Sequence, residues 1–192
     1  MRVRSSTMKI ILMRHGKPVL AQSGRITPVE MERWIEHYNL AEVEANGAPP
    51  IDGLPWLNAS TCIAASTAPR ALSSVQALGH TPSVVDAVFC EAQLPFAVWR
   101  FPRLPPVVWA ALFRLFWFFG YSRGSESIQV ARARAKIAAR KLVALAGQGP
   151  VLLVGHGIMN RLIAKELIAL GWAGPAKHRN SYWDTSVYRF PT

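Results

Sequence analysis

The chain has 192 residues, enough for one domain with an insertion and a proper core. Half of it is apolar (51%) and only 17% is charged, which excludes a disordered chain. Cys62 and Cys90, each in an apolar run, argue against a disulfide scaffold and fit a reducing, cytoplasmic compartment.

Residues 1–7 read as a frayed leader. The apolar run that follows, too short for a signal-peptide core, reads as a strand over 9–13 that ends in Arg14-His15-Gly16. The spacing of Met31, Trp34, Ile35 and Tyr38 predicts a helix over 28–38, with Thr27 as N-cap and Pro28 at its first position. Residues 48–53 are loop material, 61–65 a second strand, 69–78 a helix stopped at Gly79, and 84–90 a third strand. An Ala-, Arg- and Lys-rich helix over 127–146 stops at Gly147 and Gly149. A buried strand over 151–154 runs into Gly155-His156-Gly157, a helix follows over 158–170, and 186–190 is a last strand. Strands alternating with helices imply an α/β fold with a mostly parallel sheet covered on both faces.

Two predicted strand ends carry a His-Gly pair, and in an open parallel sheet ligands bind beyond the carboxyl ends of the strands. A lone histidine after a strand is more often structural than catalytic. Here a third strand end adds Ser66-Thr-Ala-Pro-Arg70-Ala. The ordered set resembles the histidine phosphatase (phosphoglycerate mutase-like) superfamily: Arg-His-Gly after the first strand, Ser-x-x-x-Arg-Ala after the second, Gly-His-Gly after a late one. The resemblance spans about residues 8–190.

It implies a three-layer α/β/α sandwich as a single domain over 1–192, with a helical lid insertion over 94–125. It also implies a metal-independent phosphatase without a cofactor, whose catalytic tetrad is Arg14, His15, Arg70 and His156. A phosphoryl group spreads its charge over three equatorial oxygens, and two guanidiniums match them in a fixed fork that lysine lacks. His15 is then the in-line nucleophile that becomes phosphohistidine, and His156 a further donor. Ser66, Gly157 and Lys17 complete the expected phosphate contacts.

Glu91 stands where many superfamily members carry the acid that protonates the leaving oxygen. Its context, Glu91-Ala-Gln-Leu-Pro, departs from their Glu-x-x-x-Gly-x-Trp-Glu, so a structural carboxylate is the competing reading. Glu126 is expected to stabilise the start of the 127–146 helix instead of serving as the acid. Lys17-Pro18 replaces the Glu-Thr/Ser that follows Arg-His-Gly in mutases, which removes a usual substrate contact and leaves Lys17 as a source of positive charge.

Residues 107–119 are apolar all round except for Arg114, so the pattern offers no solvated face. As a helix they reach about 20 Å, short of the roughly 30 Å hydrocarbon core. Three placements stay open: a lid packed on the domain, a homodimer interface, or peripheral contact with the anionic inner membrane. In the last, Trp99, Trp109 and Trp117 would lie at the interface near Arg100, Arg103 and Arg123. The net charge of +11 suits a solvated surface, an anionic small-molecule substrate or anionic lipid. Nucleic acid is disfavoured, because no binding module appears. The expected activity is hydrolysis of a phosphate monoester that is small or has an apolar portion. Protein phosphohistidine phosphatase is the enzymatic alternative, and a catalytically weak membrane-associated or dimeric binding module the non-enzymatic one.

Overall fold

The computed structural model describes residues 8–20, 24–44, 57, 61–175 and 181–191. The expected leader over 1–7 and the loop over 48–53 lie outside them. The described strands are β1 (Lys9–Arg14), β2 (Cys62–Ala65), β3 (Val84–Val85), β4 (Val151–Gly155) and β5 (Thr185–Arg189). They form a sheet in the order β3-β2-β4-β1-β5, parallel throughout except for β5, which runs antiparallel to β1.

Successive side chains of a strand point to opposite faces, and both faces of this sheet are covered. Ile10, Leu12, Val151 and Leu153 pack on α4 (Ile128–Ala146) and α5 (Gly157–Ala169). Ile11, Met13, Leu152 and Val154 pack on the other side against Ala71 and Val75 of α2 (Pro69–Ala77). This makes the three-layer α/β/α sandwich. Small residues let α4 lie close: Ala131, Ala135, Ala138 and Ala139 are all fully buried. Ser127 caps it, its hydroxyl accepting from Val130 N at 3.3 Å.

Two expected elements differ in detail. The first helix, α1, is Met31–Leu40. Thr27 stands one turn earlier, where its backbone N–H and hydroxyl both donate to the Glu30 carboxylate at 2.7 Å, half of a capping box. The expected strand over 84–90 shortens to β3 and a 3-10 turn over Ala87–Phe89. Asp86 breaks it by accepting from Val88 N at 2.8 Å and pairing with Lys141. Cys90 therefore lies outside any strand, and both cysteines are free and partly buried. Glu126 does not cap α4 directly. Its carboxylate pairs with Arg134 and accepts from Gln93 N at 3.2 Å.

The 94–125 segment carries α3 (Pro106–Phe118). Trp109, Phe113 and Trp117, spaced by four, bury one stripe, and Trp109 and Phe113 cluster with Met31 of α1 and Ala97. Burying side chains of this size contributes roughly 1.5–3 kcal/mol each. The two buried indoles are also anchored: Trp109 Nε1 donates to Ile26 O and Trp117 Nε1 to Glu126 O, both at 2.8 Å. Trp109 and Trp117 thus belong to the core and not to an outer surface. Among the described residues no helix is long and apolar enough to cross a membrane.

Candidate active site

β1, β4 and β2 are neighbours and parallel, so the three motifs at their carboxyl ends emerge along one edge of the sheet. The first two meet directly: His15 N donates to Gly155 O at 3.0 Å. The His15 and His156 rings are then 5.0 Å apart between centroids. Arg70 enters from the first turn of α2, behind Pro69 at the helix start. Its guanidinium lies 4.7 Å from the Tyr38 ring and donates from Nη1 to Tyr38 O at 3.2 Å. The Arg14 guanidinium lies 4.3 Å from the Tyr182 ring.

Burial fixes the charge state of the imidazoles. The His15 pKa is lowered to about 3, chiefly by burial and then by Arg70, with Arg14 adding to the effect; the bond to Gly16 O works the other way. His156 is pushed down in the same direction by burial, Arg70 and His15. Both rings are therefore neutral near pH 7. His15 Nδ1 lies 2.7 Å from Gly16 O, and a carbonyl only accepts, so the ring proton resides on Nδ1 and Nε2 keeps its lone pair. His156 Nε2 meets Ser66 Oγ at 2.7 Å. Buried His156 Nδ1 and Arg70 Nε have no hydrogen-bond partner among the described residues. Buried polar groups in a native fold are normally satisfied, so these two mark a place for a polar ligand, and the Arg70 guanidinium, which only donates, calls for an acceptor there.

A cavity of about 1090 Å³ opens at this edge, lined by Arg14, Arg70, Glu91, Gly157 and Tyr182 together with an apolar wall that includes Trp34 and Phe96. Gly157 is the first residue of α5. Glu91 lines the cavity and also holds the start of α5: Oε1 accepts from Ile158 N at 3.1 Å and Met159 N at 2.9 Å. Lys17 is not brought to this cavity. Its ammonium is exposed and pairs with Glu44 at 3.1 Å.

These features have parallels among solved structures. Over 94% of its length the chain is similar to the product of the open reading frame Rv3214 from Mycobacterium tuberculosis, at TM-score 0.62 and 16% identity over 93% of that chain. The mycobacterial glucosyl-3-phosphoglycerate phosphatase Rv2419c matches at TM-score 0.53 and 21% identity, over 85% of this chain and 80% of that one. The chain shares the fold of these two structures. TTHB049 from Thermus thermophilus is also similar, at TM-score 0.52 and 22% identity, over 83% of this chain and 84% of that one. No protein-family profile and no curated protein sequence matches the chain.

Within this fold, several residues without a motif complete the site. Tyr38 and Tyr182 face the two guanidiniums, and burial pushes the Tyr38 phenol up in pKa, against the pull of Arg70. Ser74 accepts from Gly16 N at 2.9 Å and donates to Arg70 O at 2.6 Å, tying the loop after β1 to α2. Asn160 Nδ2 donates to Met13 O at 2.9 Å and packs against Gly155 so closely that a Cβ there would strike its Oδ1. Serine four residues after Arg70 and asparagine four after His156 are the only sequence signals for these two, and both are weak.

Proposed function

We propose that the chain is a metal-independent phosphatase of the histidine phosphatase superfamily, hydrolysing phosphate monoesters through a phosphohistidine on His15. The observation that carries this reading is a buried His15 whose Nδ1 is held by Gly16 O, which leaves the lone pair on Nε2, in the field of Arg14 and Arg70 and beside the His156 ring. The phosphatase among the solved structures of this fold supports the same reaction class.

In this reading Arg14 and Arg70 hold the phosphoryl oxygens. Ser66 donates its hydroxyl proton to His156 Nε2, which places the ring proton on Nδ1 and aims a further donor at the anion. His15 Nε2 attacks phosphorus, and the N–P bond forms as the ester P–O bond breaks. The P–O electron pair leaves on the alcohol oxygen, which takes a proton from Glu91. Among the described residues Glu91 Oε2 accepts one bond, from Ile158 N at 3.2 Å, against three on Oε1, so it is the oxygen left for that task. A water oxygen then attacks phosphorus, the N–P pair returns to His15, and the water's proton restores Glu91. The apolar wall of the cavity favours a monoester with an apolar portion over a fully polar one.

The test is hydrolysis of a chromogenic aryl phosphate by the wild type and by His15→Ala, with acid quenching of the turning-over enzyme. Turnover lost in the variant, together with an acid-labile phosphoryl group on His15 of the wild type, is the expected result. Unchanged turnover in His15→Ala would refute the proposal.

A further inference from the structure

We propose that the outer face of α3, with the loop that leads into it, docks on the surface of an anionic lipid bilayer. A soluble domain normally turns the polar side of a surface helix outward. Here one stripe of α3 is in the core, and the opposite side is apolar and exposed: Val107 (67%), Leu115 (50%), Phe118 (47%) and Phe119 (84%). At 100° per residue these four fall within one third of the helix circumference. The entering loop adds Trp99 (51%) and Phe101 (81%) to the exposed apolar surface. Aromatic rings in this setting suit the headgroup boundary of a bilayer.

Charge selects lipid over a second copy of the chain. From residue 92 to residue 125 there is no Asp, Glu or Lys, while Arg100, Arg103 and Arg123 are exposed. Arg103 lies 3.7 Å from Glu30, which leaves Arg100 and Arg123 as the freer charges for headgroups. Two copies meeting through this face would bring like-charged segments together with no carboxylate in either to offset them. An anionic surface offsets them all. α3 is too short to span, so the contact is peripheral. Val107, Ala110 and Arg114 of the same helix line the cavity, so docking would bring the cavity mouth to the lipid surface.

The experiment is flotation of the full-length protein with phosphatidylcholine vesicles, with and without phosphatidylglycerol, at low salt. Expected is flotation with the phosphatidylglycerol vesicles that weakens as salt is raised. Phe118→Ser with Phe119→Ser should cut partitioning at least about tenfold. Arg100→Ala with Arg123→Ala should cut it by a similar factor, since each near-surface arginine is worth about fivefold. Circular dichroism and aryl phosphate hydrolysis should match the wild type in both variants, which separates this proposal from the catalytic one. No flotation of the wild type, or flotation unaffected by the phenylalanine changes, would overturn it. So would a dimer in analytical ultracentrifugation that those changes dissolve, since the face would then belong to a second copy.

Discussion

The imidazoles of His15 and His156 lie 5.0 Å apart, tilted by 60°, and among the described residues neither has a carboxylate hydrogen-bonded to it. Each is buried within the field of Arg70, so adding a proton to either would place a third positive charge in a buried site beside Arg14 and Arg70.

This arrangement predicts a pH dependence of stability. An unfolded histidine titrates near 6.5, whereas His15 in the native chain titrates at about 3 and His156 is displaced in the same direction. Between those values the unfolded chain binds more protons, so stability falls as pH drops through about 6.5 and keeps falling toward about 3. Urea midpoints measured from pH 7 to pH 4 should decline, and nitrogen NMR should show both rings neutral at pH 5. A His15 ring that titrates near 6.5 in the folded state would contradict the burial argument.

Arg70 is nearly fully buried and stacked on Tyr38, a setting that suits a planar fork and not an ammonium. Arg70→Lys should lower kcat/KM by roughly 10–100-fold, as expected for losing charge-assisted bonds of about 1.5–3 kcal/mol. Inhibition by inorganic phosphate should weaken in parallel, and kinetics with phosphate as competitor would measure both.

Glu91 has two tasks that one substitution can separate. Glu91→Gln keeps an acceptor for Ile158 and Met159 but removes the charge at the α5 N-terminus, at a cost of about 0.3–1 kcal/mol in stability. As proton donor its loss should slow the first step, phosphoryl transfer to His15, by about 10²–10⁴-fold for an alkyl phosphate, while barely affecting the initial burst of phenolate from an aryl ester, which leaves unaided. Equal losses in that first step would rule out the proton-donor task.

Gly16 has no room for a side chain. A Cβ there would lie 2.6 Å from Val43 Cγ1 and would strike the Trp183 ring. Trp183 is itself held at φ 63°, unusual for a bulky residue, and its N–H donates to Arg14 O at 3.1 Å. Gly16→Ala should destabilise the fold by roughly 1–3 kcal/mol, read from urea unfolding. Activity should fall as well, because the Gly16 carbonyl that orients His15 moves with the clash.

The sequence alone determined that apolar runs over 9–13 and 151–154 end in His-Gly pairs, that Arg70 follows a third strand, and that strands alternate with helices. These signals are local: a buried parallel strand needs a continuous apolar run, and a backbone that must approach an anion or a ring needs glycine. A run apolar all round, such as α3, names no inner face. Only packing against Met31 and Ala97 decided that Trp109 and Phe113 turn inward while Phe118 and Phe119 turn out. Packing likewise drew Lys17 to Glu44 instead of the cavity, and paired Glu126 with Arg134 two turns into α4. Tyr38 at Arg70, Ser74 beneath Gly16 and Asn160 against Met13 join residues 32, 58 and 147 positions apart. Contacts at that range depend on strand order, which periodicity along the chain does not encode.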